Sequence, residues 1–172
     1  MENQNAPAYE IERKFLVAMP DPSWLWAQEG VRCAQITQTY LRSTGEEEVR
    51  VRRRSEQGID TFVRTAKRTL SGIKRVEIEK EITREEYAAL LLEADPARRT
   101  IEKTRYSFRC AGHVVEIDIY PLWRWQAILE VELADEREAL TLPKEIRILC
   151  EVTDDPRYKN AALASAEDLS AL

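Results

Sequence analysis

Histidine is almost absent from this chain: His113 is the only one in 172 residues. Its scarcity argues against a histidine-ligated zinc centre and against the Ser/His and Cys/His pairs of nucleophilic hydrolases. Cysteine is scarce too. Cys33, Cys110 and Cys150 are odd in number, widely spaced and set in strand-like contexts. They read as reduced core thiols of a cytoplasmic protein rather than a disulfide frame or a zinc site. There is no signal peptide, and no apolar run is long enough to span a bilayer, so no membrane partner is expected. Positive charge is not in excess either. The formal net charge is −5 with 33% charged residues, which predicts a soluble chain with no general attraction to nucleic acid. Repeats and low-complexity linkers are missing, and the length suits one domain over residues 1–172 with a core of its own.

What is present is a succession of short strand patterns. A polar tail to Pro7 leads into a strand at 8 to 17, and the breaker Met19-Pro20-Asp21-Pro22-Ser23 precedes a short helix over 24 to 29. Strands follow at 33 to 42, 47 to 54, 60 to 68 and 74 to 82, divided by Thr44-Gly45, Gln57-Gly58 and Ser71-Gly72. Thr83 and Glu86 form a capping-box signature for a helix that ends near Asp95-Pro96. Strands resume at 100 to 110, 113 to 120 and 127 to 134, with Ala111-Gly112 as a tight turn. A last extended run over 146 to 152 precedes an alanine-rich, helical C-terminus.

Within these strands the charges keep one parity. Glu10, Glu12 and Lys14 share a face, as do Arg50 and Arg52, whose alternate valines require a core on the other side. Glu77, Glu79 and Glu81 alternate with aliphatic residues; Lys103 and Arg105 fall together, as do Glu116 and Asp118, and Glu130 and Glu132. An ordinary antiparallel sheet with a solvated face accounts for any one such strand. Repetition changes the balance, because like charges two residues apart repel and a solvated face gains nothing by collecting them. A sheet curled with this face inward needs compensation: a divalent cation among the carboxylates and a polyanion among the basic groups. Oxygen ligands alone favour Mg²⁺ or Mn²⁺ over zinc.

The ordered set Glu10-x-Glu12-x-Lys14, Arg50-x-Arg52, Thr65-x-Lys67, Glu77-x-Glu79, Lys103-x-Arg105, Asp118 and Glu130-x-Glu132 resembles the CYTH superfamily, the triphosphate tunnel metalloenzymes. The stretch from Glu151 to Asp155, with Tyr158 and Asn160, resembles the short bacterial members known as inorganic triphosphatases, whereas Ile146-Arg147-Ile148-Leu149-Cys150 replaces a Trp-Leu-Gly type stretch. The resemblance implies an α+β fold, an eight-stranded antiparallel β tunnel with helices outside and a triphosphate within. It also implies that Glu10, Glu12, Asp118, Glu130 and Glu132 are metal ligands or their supports, with Glu77 and Glu79 facing the same site. By the same token Lys14, Arg50, Arg52, Lys67, Lys103 and Arg105 would grip phosphate, and Lys159 would add a further contact.

The reaction expected is metal-dependent removal of the terminal phosphate of a triphosphate, with Mg²⁺ or Mn²⁺, Glu10 and Glu12 at the catalytic centre and Lys67 as candidate general base. Thiamine triphosphatase, adenylate cyclase and a non-catalytic polyphosphate binder are the rivals. No Gly-rich or aromatic motif supplies a pocket for an organic group, which favours inorganic tripolyphosphate. Trp24, Trp26, Trp123 and Trp125 read as packing or rim residues, and His113 as a surface residue. The run Arg52-Arg53-Arg54 is weakened as a nucleic-acid patch by Glu46 to Glu48. Monomer and homodimer both stay open.

Overall fold

The computed structural model describes residues 11–43, 47–71, 74–135 and 137–166, with the side chains of 68–71 and 74–76 left aside. Glu10 therefore lies outside the described residues, as do the N-terminal tail and the Thr44-Gly45 turn.

Among the described residues nine strands are formed: β1 (Ile11–Ala18), β2 (Arg32–Tyr40), β3 (Glu47–Glu56), β4 (Ile59–Ser71), β5 (Lys74–Glu81), β6 (Ile101–Cys110), β7 (His113–Ile119), β8 (Gln126–Leu133) and β9 (Ile148–Glu151). They make one antiparallel sheet in the order β5-β4-β3-β2-β6-β7-β8-β1-β9. The ninth strand, one more than the eight expected, is the short β9. It is added to β1 through Phe15–Glu151 and Leu16–Cys150, with a register shift after Leu16. The ladder is open, since β5 and β9 are its two ends and are not hydrogen-bonded to each other. Two hairpins turn in two residues, Gln57-Gly58 and Ala111-Gly112, each with positive φ at both positions. Such primed turns match the right-handed twist of the strands they join.

Two of the helices pack against the outer face of this sheet. The helix α1 (Pro22–Trp26) is shorter than expected and starts earlier, because Asp21 accepts from the Ser23 and Trp24 amides and Pro22 suits the first turn. It brings Leu25 into a core with Phe15, Val17, Phe108, Val115, Ile117, Leu129 and Val131. The helix α2 (Arg84–Leu90) carries the full capping box of Thr83 and Glu86 and runs on as a 3₁₀ turn to Glu93. Its Tyr87 packs on Phe62, beside Val49 and Val51. The valines of β3 are therefore buried on the outer face, as their alternation with Arg50 and Arg52 requires. Ile78 on β5 breaks this rule and is 61% exposed. The helix α3 (Asn160–Ser165), preceded by a 3₁₀ turn at Pro156–Tyr158, joins Leu16, Tyr40, Ile101, Tyr120, Trp123 and Ile128 in a third cluster. Parity and register put Leu16, Ile101 and Ile128 on the same face as Lys14, Lys103 and Glu130, so one end of the charged face is apolar and plugged.

Several single-residue expectations change. Cys33 and Cys110 are only part-buried and Cys150 is exposed, so the thiols are free but not core residues. His113 is tucked against Glu138, 2.9 Å from Nε2, and is not a surface group. Trp123 is buried, whereas Trp26 and Trp125 are exposed. Among the described residues no helix is long and apolar enough to cross a membrane.

Candidate functional site

One face of the sheet gathers the charged side chains, because antiparallel register preserves parity from strand to strand. Glu12 lies opposite Glu132 and Lys14 opposite Glu130; Glu130 lies opposite Glu116, and Asp118 opposite Arg105. Farther along, Gln38 faces Arg52, Arg50 faces Thr65, Thr65 faces Glu79 and Lys67 faces Glu77. Two unequal groups result.

The group on β1, β6, β7 and β8 is dense and desolvated. Asp118 is fully buried and is held by Lys103 and by a two-point contact with Arg105, at 2.7 Å from Nε and 2.7 Å from Nη2. Burial would push this carboxyl up, but Lys103 and Arg105 hold it down at about 2. Burial pulls Lys103 below the ordinary lysine range, while Asp118 supports its charge. Its ammonium also lies 5.7 Å from the centre of the Tyr120 ring. Arg105 donates further to Glu130 at 2.7 Å and to Glu116; burial works against its charge, but Asp118 first, then Glu130 and Glu116, raise its basicity. Lys14 bridges Glu130 at 2.8 Å and Glu12 at 3.4 Å. Glu12 is raised, first by desolvation and then by repulsion from Glu130.

The group on β3, β4 and β5 is looser and more open. Arg50 reaches Glu77 at 3.2 Å and Glu79 at 4.0 Å, and its Nε is buried without a hydrogen-bond partner. Arg52 meets Glu79 only at 3.7 Å; burial and then the neighbouring Arg50 lower its pKa. Lys67 pairs with Glu77 at 2.9 Å, and the buried Thr65 hydroxyl donates to Glu79 at 2.9 Å. Here cations crowd one another with few carboxylates to satisfy them.

Among the described residues, then, the expected site residues of the strands share this face, and Lys159 is an exposed residue at the start of α3. Glu132 is exposed opposite Glu12. Arg53 points the other way, to Asp60 at 3.1 Å, and Arg54 is held by Glu56, so the arginine run is split between two faces. Glu116, Thr65 and Gln38 share the charged face without a role assigned to them from the sequence. Glu116 is marked there by its parity with Asp118 and Thr65 by its place in Thr65-x-Lys67, whereas Gln38 carries no charge or motif to mark it.

The donor set of Glu12, Glu130 and Glu132 suits a hard divalent cation, since all its ligands are carboxylate oxygens, and the crowding that raises Glu12 is what a cation relieves. Among the described residues no three acidic groups already converge on one point. Between Glu12 and Glu130 lies the Lys14 ammonium, which an incoming cation would displace.

Comparison with known proteins agrees with this geometry. The CYTH domain family model matches residues 8–159. An inorganic triphosphatase of Nitrosomonas europaea is 35% identical over 163 residues, covering 90% of this chain and 96% of that protein. A crystal structure of an inorganic triphosphatase superposes with a TM-score of 0.63 at 31% identity, over 94% of this chain and 98% of the other. A Pyrococcus horikoshii protein shares the fold at 21% identity and a TM-score of 0.53, over 75% of this chain and 80% of its own. With the family pattern matched along most of its length and its charges laid out on one inner face, the chain belongs to the CYTH domain family.

Proposed function

We propose that this protein is a metal-dependent inorganic triphosphatase of the cytoplasm, which hydrolyses the terminal phosphate of tripolyphosphate with Mg²⁺ or Mn²⁺. The observation that carries this reading is the division of one face into a carboxylate-rich half and a half where Arg50 and Arg52 keep spare donors beside long contacts to Glu77 and Glu79. The orphaned Arg50 Nε and the loosely held Arg52 are donors aimed at the same surface, and with Lys67 they bind and orient the phosphates. Glu12, Glu130 and Glu132, with Glu10 from the same strand pattern, hold the cation. A cation there supplies charge neutralisation for the phosphate oxygens and Lewis acidity toward the attacking water. Lys14, which is shared between Glu130 and Glu12, would add a further phosphate contact from β1, and Asp118 supports the charge of Lys103 against burial. Phosphoryl transfer needs positioning and electrostatic stabilisation rather than a covalent nucleophile, which suits a site without histidine or a buried thiol. We assign the handling of the water proton to Lys67 and Glu12, with Glu10 beside them in the sequence pattern.

Phosphate release from tripolyphosphate, ATP and thiamine triphosphate, assayed in parallel with products separated, tests the reading. Tripolyphosphate is expected to give the highest kcat/KM, EDTA to abolish turnover, and ATP to give no cyclic AMP. Full activity in EDTA overturns the metal assignment, and a clear preference for thiamine triphosphate overturns the substrate.

A further inference from the structure

The arginines of β3 owe their spare donors to a carboxylate that stops short of them. Hydrogen-bonded strands lie about 4.8 Å apart, so a side chain on β5 must lean across β4 to reach β3. Glu77 does so: it meets Arg50 at 3.2 Å, while Lys67 of β4 holds its other oxygen at 2.9 Å. Glu79 lies two residues on, on the same face and with the same reach. Its Oε1 nevertheless stands 3.7 Å from Arg52 and 4.0 Å from Arg50. At such separations the charges attract but do not hydrogen-bond. Side-chain length cannot account for the difference between Glu77 and Glu79, and what differs is the β4 residue in the path.

Register places Thr65 between Arg50 on one side and Glu79 on the other. Its hydroxyl donates to Glu79 Oε1 at 2.9 Å, the same oxygen that faces both arginines. Thr65 is fully buried, so its single hydroxyl proton is committed to that carboxylate rather than to water. Held toward β4, the oxygen meets the guanidinium groups only at long range. Arg52 reflects this, since burial and Arg50 lower its pKa in spite of the charge on Glu79. We propose that Thr65 is a positioning residue of the phosphate-binding half, whose hydroxyl ties Glu79 back and so leaves donors of Arg52 and Arg50 open to an incoming anion. This role rests on the proposed function, in which those arginines bind tripolyphosphate, and it makes a neutral residue set how tightly they do so.

Tripolyphosphate binding in EDTA, followed by isothermal titration calorimetry, reads this role without turnover. Thr65→Val removes the hydroxyl but keeps a β-branched residue in the strand. It strands no buried charge, because the Glu79 side chain is 47% exposed. Thr65→Val is expected to bind tripolyphosphate about 10-fold more weakly, the scale of one charged hydrogen bond that Glu79 then makes with an arginine. Thr65→Ser, which keeps a hydroxyl donor, should bind within about twofold of the parent. Thr65→Val combined with Glu79→Gln should recover parental affinity or better, since the competing charge is gone. Parental affinity in Thr65→Val, or Thr65→Ser as weak as Thr65→Val, overturns the role. A double variant as weak as Thr65→Val overturns it too, because the hydroxyl would then touch the anion itself. A parent that binds no tripolyphosphate overturns the phosphate half of the proposed function together with it. Thermal melts establish folding; should Thr65→Val fail to fold, Thr65→Ala, alone and with Glu79→Gln, gives the same readouts.

Discussion

Asp118 and Arg52 show how two charges on one face answer to different neighbours. Asp118 is buried yet ionised, because Lys103 and Arg105 outweigh its desolvation and hold it at about 2. A carboxyl depressed in the folded state stabilises the protein above its unfolded pKa of about 3.9, and that contribution is lost as pH falls toward 2. Acid unfolding followed by circular dichroism should therefore steepen between about pH 4 and pH 2. Asp118→Asn, which strands the buried Lys103 and weakens two of the four hydrogen bonds of Arg105, should be destabilised at neutral pH by about 3–5 kcal/mol and lose part of the acid dependence. Arg52 is the opposite case, disfavoured by burial and by Arg50. Arg52→Ala should melt within about 2 °C of the parent or higher, because repulsion is relieved. Its tripolyphosphate affinity should fall roughly 10-fold or more, the scale of a charged hydrogen bond. An unfolded Arg52→Ala protein with normal affinity at low temperature would make the residue structural.

At the scale of elements, the strands carry the site and the short helices decide what is sealed. The helix α3 has only six residues and no side-chain cap, so its place depends on docking rather than on intrinsic helicity. Leu163 is its buried anchor in the cluster with Tyr120 and Trp123, and the Tyr120 hydroxyl donates to Asn160 at 2.8 Å. Leu163→Ala should cost about 2–4 kcal/mol by urea unfolding, the range for a large-to-small change in a core. Turnover should fall less than stability, since Arg50, Arg52 and Lys67 are held by carboxylates of β5. The four residues of β9 are held to β1 by the Arg13–Glu151 fork at 2.7 and 2.9 Å. Their place could not be read from the longer extended run over 146 to 152. Strand propensity there is similar throughout, and only the partner strand's register decides where pairing starts and stops.

For the whole molecule, a net charge of −5 conceals a face lined with lysines and arginines, the proposed seat of the polyanion. Repulsion from the rest of the chain is screened over about 10 Å at 0.1 M salt, while contacts within the face are shorter. Tripolyphosphate affinity should therefore weaken with ionic strength yet stay measurable at about 0.3 M salt, in contrast to loose surface attraction. Isothermal titration at several salt concentrations measures this, and complete loss of binding at moderate salt would mean that the anion never enters the face.

The division of labour between faces was settled by the sequence, because side-chain alternation along a strand is local and needs no knowledge of neighbours. Valines at 49 and 51 oblige Arg50 and Arg52 to turn away from the outer core, and Thr83 with Glu86 is enough to start α2. Which charge meets which was not contained in that alternation. Arg105 lies two residues from Lys103 in a motif that treats them alike, yet it is taken up by Asp118, Glu116 and Glu130 from β7 and β8. The stagger between strands decides this, since a shift of two residues preserves the face while exchanging every partner on it. Ile78 and Cys150 are exposed, and each sits on a strand at the end of the ladder, with a neighbouring strand on one side only.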